Sequence, residues 1–218
     1  MVQHVYERAS RARTLSEVIV ATDDSRIFDA VTGFGGQAVM TPEMPTGTDR
    51  VAAVAETTPC EVVANIQGDE PLLEPAVIDQ LLQPFLDNPA IEVSTLKQRI
   101  ADPASYENVN VVKVVTDLEG FALYFSRASI PGNFHKHWNA HLPVYRHVGL
   151  YAYRRETLLT FVNWPRTPYE MAEGLEQLRF MEHGVRIRVV ETEHLLVGVD
   201  VPADLERVRQ IFKTGIRG

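Results

Sequence analysis

Cysteine is almost absent from this 218-residue chain, the single thiol being Cys60, so no internal disulfide can staple it and a reducing compartment suits it. Basic residues are also short, 21 against 29 acidic, for a formal charge of −8. Binding along a nucleic-acid backbone needs a basic face, so no nucleic-acid partner is expected. A few local arginines and a metal ion can still hold a small anion on an acidic protein. No apolar run approaches the roughly 18 residues of a membrane span, and the start carries no signal-peptide core. The expectation is a soluble, cytoplasmic protein without a membrane partner. There is no internal repeat, low-complexity tract or linker, and 45% hydrophobic content is enough for a substantial core. This reads as one domain over residues 1–218 with an inserted lobe at about 91–155.

What is present centres on Val62 to Pro71, Val-Val-Ala-Asn-Ile-Gln-Gly-Asp-Glu-Pro. Its first half is a short β-branched run of the kind buried on both faces of a parallel sheet. Its second half places two carboxylates just past that strand, with Gly68 allowing a tight turn and Pro71 ending the extension. Open α/β sheets bind ligands at the carboxyl ends of their strands, and a carboxylate there can hold Mg²⁺ against a phosphate. A solvated acidic turn is the plainer explanation of the same residues.

Upstream, apolar positions at Val2, Val5 and Ala9 have helical spacing, and Glu17 to Thr22 reads as a strand. Asp23 and Asp24 sit where a helix cap belongs, and the helix over Ile27 to Val31 runs out at Gly33, Gly35 and Gly36. A strand at Ala38 to Thr41 completes a β-α-β alternation, which predicts parallel pairing and right-handed crossovers. Thr46, Gly47 and Thr48 then offer hydroxyls and backbone N–H groups at the start of a helix over Val51 to Glu56, a place for an anion, although capping accounts for Thr48 or Asp49 as well.

Downstream, a helix over Pro75 to Leu86 and a strand over Ile91 to Lys97 lead to a hairpin, Asn110 to Asp117 and Phe121 to Arg127, turned at Gly120. The loop from Pro131 to Pro143 holds His135, His137 and His141 without a completing cysteine or carboxylate, so a lid or interface is expected rather than a metal cluster. Tyr145 to Arg154 alternates as a half-exposed strand with Arg146, His147, Tyr151 and Tyr153 as polar handles. Thr167-Pro168-Tyr169-Glu170 is a capping box opening a helix whose core stripe is Met171, Leu175, Leu178 and Met181. Glu173, Glu176 and Gln177 fall off that stripe, on what would be a solvated face. Arg186 to Glu191 is a strand, Val197 to Asp200 again ends an apolar segment in a carboxylate, and a last helix follows to about Lys213.

In order along the chain stand Thr46-Gly47-Thr48-Asp49-Arg50, Asn65-Ile66-Gln67-Gly68-Asp69-Glu70-Pro71, Ala122 to Arg127, Arg146-His147-Val148-Gly149-Leu150-Tyr151, Leu175-Glu176-Gln177-Leu178-Arg179 and Gly198-Val199-Asp200. Together they resemble the 3-deoxy-manno-octulosonate cytidylyltransferase family over essentially the whole length. The resemblance implies a Rossmann-like α/β nucleotidyltransferase fold, a mostly parallel sheet flanked by helices with an inserted antiparallel lobe. It implies a Mg²⁺-dependent reaction in which the anomeric hydroxyl of an eight-carbon sugar acid attacks the α-phosphate of CTP. By resemblance, Asp69 and Asp200 are the catalytic, metal-holding carboxylates. Thr46, Gly47, Thr48, Arg50 and Gln67 lie along the nucleotide, Arg127, His147, Tyr151, Glu176 and Gln177 surround the sugar acid, and a homodimer forms through the inserted lobe.

Two departures stand out. Family members open on a strand and a glycine- and arginine-containing loop that wraps the triphosphate, whereas Met1 to Val5 here matches the helix after that loop. The chain as it stands is therefore expected to be nearly inactive and less stable than a longer form. Val201 stands where the family usually has Thr. Two other readings stay open: a transferase acting on another sugar acid such as neuraminate, and a non-enzymatic sugar-binding or assembly protein.

Overall fold

The computed structural model describes residues 1–132, 143–194, 198–199 and 201–214. The expected alternation is realised through the first third of the chain. Helix α1 (Val2–Ala9) buries Val5 and Ala9. Strand β1 (Ile19–Thr22) follows, then α2 (Ser25–Gly33), whose cap is Asp24 accepting from the Arg26 amide at 2.8 Å. Strand β2 (Gln37–Met40) returns parallel to β1, with Ile19 opposite Gln37. Helix α3 (Gly47–Thr57) leads into β3 (Val62–Asn65).

The remaining elements build the larger sheet. Helix α4 (Pro75–Asp87), β4 (Val93–Arg99), α5 (Pro103–Glu107), β5 (Lys113–Thr116) and β6 (Ala122–Ser126) precede the long strand β7 (Tyr145–Arg154). Then come α6 (Arg155–Phe161), α7 (Pro168–Glu173), α8 (Gln177–Glu182), β8 (Ile187–Glu191) and α9 (Pro202–Thr214). The sheet runs β6-β5-β7-β4-β8, with β3 also on β7. Strands β3 and β4 both pair antiparallel with β7, and β8 is parallel to β4, so β3, β4 and β8 share one direction and β7 is the inverted strand among them. The α/β class expected from the sequence holds; the sheet is more mixed than the alternation implied, because β7 inserts between β3 and β4.

Strand β7 organises the site. Its Tyr145 and Arg146 pair with β5 and its Tyr151 to Arg154 with β3, leaving a notch around Gly149 between those two neighbours. On its other edge Leu96 faces Val148 and Thr95 faces Tyr151, so β7 carries Gly149 and Leu150 as extra residues in a bulge. One sheet face packs Leu96, Val148, Leu150 and Ala152 against α4, and the other packs Val93, Tyr153, Ile187 and Val189 against α3, α6 and α8.

The helix expected from Thr167 onward proves to be two. Pro168 opens α7 and the Glu170 carboxylate accepts from the Thr167 amide at 3.1 Å, as the capping box requires. The helix then ends at Gly174, whose φ of 63° lies in the left-handed region that favours glycine. A buried Arg179–Glu170 ion pair ties α8 back to α7. Met171 is exposed instead of belonging to a core stripe, while Leu175 and Leu178 are buried as expected. His135, His137 and His141 lie outside the described residues.

Strands β1 and β2 form their own two-stranded sheet, and among the described residues no strand lies between β1 and β3. Strands β1 and β3 line a cavity of about 460 Å³ with Val5, Val20, Val62 and Ala64 on its walls and α1 along one side. Val2, at the start of α1, lines this cavity, so a segment joined ahead of α1 would begin at its wall. Adding an apolar, β-branched strand ahead of Met1 is expected to raise Tm by roughly 5–10 °C, from about 3 kcal/mol of newly buried apolar surface at about 3 °C per kcal/mol. Differential scanning calorimetry of both lengths checks this, and an unchanged Tm counts against strand entry.

Candidate active site

The carboxyl end of β3, the start of α3, the middle of β7 and the break between α7 and α8 converge on a cavity of about 310 Å³. From α3 come Gly47 and Thr48. Thr46 is the cap of that helix, its hydroxyl accepting from the Asp49 amide at 3.1 Å and donating to the Asp49 carboxylate at 2.9 Å. It does not line the cavity. Thr48 is buried and its hydroxyl donates to Oε2 of Glu176 at 2.7 Å, which latches α3 to the α7–α8 break. From the β3 exit come Asn65 and Gln67, with the Gln67 amide donating to Asn65 at 3.3 Å.

From β7 come His147, Tyr151 and Tyr153, residues of one sheet face. The Tyr151 and Tyr153 rings stack at 5.7 Å, and His147 sits 5.3 Å from Tyr151. Burial pushes the His147 imidazole down to about 3, so it is neutral at physiological pH. Burial, reinforced by the neighbouring phenol and by Glu176, raises Tyr151 well above the ordinary phenol value, and burial with Glu176 does the same for Tyr153. Both phenols therefore remain protonated donors.

From the α7–α8 break come Gly174, Glu176 and Gln177. The solvated face expected for Glu176 and Gln177 is instead a cavity wall, because Gly174 turns the chain before α8 begins. Gln177 is 95% shielded from solvent, and its Nε2 is buried with no hydrogen-bond partner among the described residues. A buried amide without an acceptor costs stability and points to a ligand that supplies one.

Several residues singled out in the sequence lie elsewhere. The Arg127 guanidinium donates to the carbonyls of Glu173 at 2.7 Å, Val109 at 3.3 Å and Gly174 at 3.5 Å, so it holds the α7–α8 turn from behind. Arg50 pairs with Asp23 at 2.7 Å and bonds the Thr41 hydroxyl, tying α3 to the ends of β1 and β2; it lines the larger cavity. The two cavities share Gly47, Asn65 and Gln67. Asp69 is half-buried in the loop after β3, and its carbonyl accepts from the Val199 amide at 2.9 Å. Asp200 lies outside the described residues. Asn65, Gly149 and Phe180 were not anticipated as lining residues. Tyr153 could have been, since it lies two residues from Tyr151 on the same strand.

A strand-end cavity roofed by a helix N-terminus is where α/β folds take nucleotides, and the comparisons specify the class: the sequence profile of the cytidylyltransferases matches residues 1–187. A 3-deoxy-manno-octulosonate cytidylyltransferase of Geobacter sulfurreducens is 54% identical, with 98% of this chain and 89% of that protein covered. Its counterpart in Solibacter usitatus is 51% identical, over 99% of this chain and 85% of that one. The solved structure of CMP:2-keto-3-deoxy-manno-octonic acid synthetase complexed with CTP superposes with a TM-score of 0.93 at 41% identity, covering 99% of this chain and 88% of that one. A 4-diphosphocytidyl-2C-methyl-D-erythritol synthase from Anaerococcus prevotii, at 12% identity and a TM-score of 0.64, shares the fold. This chain belongs to the 3-deoxy-manno-octulosonate cytidylyltransferase family.

Proposed function

We propose that this chain transfers CMP from CTP to the anomeric hydroxyl of 3-deoxy-manno-octulosonate, with release of pyrophosphate. The observation that carries this reading is the convergence of Thr48, Gln67, His147, Tyr151, Glu176 and Gln177, remote in sequence, on one cavity. Its lining suits a polyhydroxylated ligand: neutral phenols and an amide donate, while Glu176 and a neutral imidazole accept. The nucleotide belongs on the side shared by both cavities, at Gly47 and Gln67, where the N–H groups opening α3 meet an anion.

Asp69 and Asp200 would hold Mg²⁺, which when bound neutralises charge gathering on the α-phosphate. The donor set fits. Asp69 supplies hard oxygen, and no described hydrogen bond or ion pair engages its carboxylate. The chain's own residues bind and orient: Glu176 and His147 on hydroxyls, Gln177 on an acceptor oxygen, Arg127 indirectly through the Gly174 turn. The same reading takes the molecule as a cytoplasmic homodimer joined through residues of about 91–155; among the described residues no helix is long and apolar enough to cross a membrane.

Glu176→Ala and His147→Ala are each expected to raise KM for the sugar acid by roughly 5- to 100-fold, the equivalent of about 1–3 kcal/mol for a buried group left unpaired. KM for CTP should move less than about twofold. Steady-state kinetics with 3-deoxy-manno-octulosonate and neuraminate as competing acceptors, in a form carrying the additional strand, checks both points. A shift confined to CTP would assign these side chains to the nucleotide, and preference for neuraminate would overturn the acceptor.

A further inference from the structure

The bulge in β7 creates an arrangement around Thr95 that bears on how His147 meets its ligand. Thr95 is fully buried on β4, at the point where the register with β7 shifts. Its hydroxyl lies 2.8 Å from the Leu150 carbonyl and 3.2 Å from the Val148 carbonyl, and 2.9 Å from Nε2 of His147. A threonine hydroxyl has one proton and two lone pairs, whereas a carbonyl oxygen only accepts. If that proton went to His147, the hydroxyl oxygen would face two carbonyl oxygens within 3.2 Å with nothing between them. The proton therefore goes to the carbonyls, chiefly Leu150, and the hydroxyl oxygen must accept from the imidazole.

We infer that Thr95 fixes His147 as the Nε2–H tautomer, so that Nδ1 presents a lone pair and accepts a hydrogen bond from a hydroxyl of the bound sugar acid. This rests on the sugar-acid reading of the cavity. His147 lines that cavity with Nε2 turned to Thr95, and among the described residues Nδ1 has no hydrogen-bond partner. Phe125 stands edge-on to the ring at 5.0 Å and Tyr151 packs at 5.3 Å, so the imidazole is in aromatic contact on two sides. The consequence is selective. A neutral acceptor welcomes an O–H and repels a carboxylate, so the acid group of the substrate must be held elsewhere in the cavity, where Gln177 Nε2 offers an unused donor. Thr95 is thus a positioning residue: it touches no ligand and acts through the histidine, as the partner on one ring nitrogen sets what the other can do.

The test is long-range ¹H–¹⁵N correlation on the whole chain with ¹⁵N-labelled histidine, using the His147→Gln spectrum to pick His147 out of seven histidines. A protonated Nε2 and a bare Nδ1 are expected in the wild-type protein at neutral pH. In Thr95→Val the two tautomers should mix, and KM for the sugar acid should rise about 5- to 10-fold with kcat and KM for CTP within twofold. Thr95→Ser keeps the hydroxyl and should restore both readouts. A wild-type His147 carrying its proton on Nδ1 overturns the inference, whether or not Thr95→Val folds. So does a tautomer change that leaves the sugar-acid KM where it was. If the protein transfers CMP to a different acceptor, the wild-type spectrum still reports the tautomer, so failure of the functional reading is seen separately.

Discussion

Asp69→Asn is expected to lower CMP transfer by roughly 10³-fold or more, about 4 kcal/mol of transition-state stabilisation, while leaving Tm within about 2 °C. The stability half of this expectation follows from what Asp69 does in the fold. Its one described hydrogen bond is made by the backbone carbonyl, to the Val199 amide at 2.9 Å, and asparagine keeps it. The carboxylate itself engages nothing described, so an amide of the same volume costs the fold little. The activity half follows from charge: an amide oxygen is a much weaker partner for a hard divalent cation. On the same charge argument, Asp200→Asn is expected to lower transfer by a similar factor. Pyrophosphate release in a form carrying the additional strand measures the first, and a Mg²⁺ titration of CTP binding by calorimetry gives a readout without turnover. Activity near wild type in Asp69→Asn would remove the carboxylate from the reaction.

The elements most legible in the sequence are those whose pattern is local. Helices α1 to α4 and the runs at β1, β3 and β4 declare themselves by periodicity and caps, because propensity and burial agree there. The cavity was partly legible for the same reason: Gln67 follows a recognisable strand end, and His147, Tyr151 and Tyr153 share the face of an alternating strand. Three features were not legible, each because its cause is remote. The α7–α8 break turns on one left-handed glycine in a stretch that otherwise reads as continuous helix, and with it Glu176 and Gln177 move from a solvated face to a cavity wall. The roles of Arg127 and Arg50 depend on which carbonyls and carboxylates fold against them, and an arginine near a presumed phosphate or acid site gives no hint that it will be occupied by its own backbone. The bulge that sets Thr95 beside His147 involves β4 and β7, about fifty residues apart, and no local spacing signals it.

Lys113→Met is expected to be the most destabilising single change, lowering unfolding free energy by about 3–6 kcal/mol. Lys113 lies at the start of β5 with its side chain fully buried, an unusual place for an ammonium group. Burial lowers its pKa, and Glu173 partly offsets that. It is tolerated there because its three N–H donors meet three backbone carbonyls, those of Asn108 at 2.9 Å, Val111 at 2.6 Å and Arg127 at 2.6 Å. Methionine fills the volume but satisfies none of them, leaving buried acceptors at roughly 1–3 kcal/mol each, against a total stability on the order of 5–15 kcal/mol. The damage should reach the cavity by a traceable route. The carbonyl Lys113 holds belongs to Arg127, whose amide donates to the Glu173 carboxylate at 2.9 Å and whose guanidinium donates to the Glu173 carbonyl at 2.7 Å, immediately before the Gly174 turn that presents Glu176 and Gln177. Urea unfolding should therefore show a midpoint lowered by about 1.5 M or more at an m-value near 2 kcal/mol/M, and the surviving folded fraction should bind the sugar acid weakly. A change below about 1 kcal/mol would mean that water replaces the ammonium among those three carbonyls and that β5 does not depend on it.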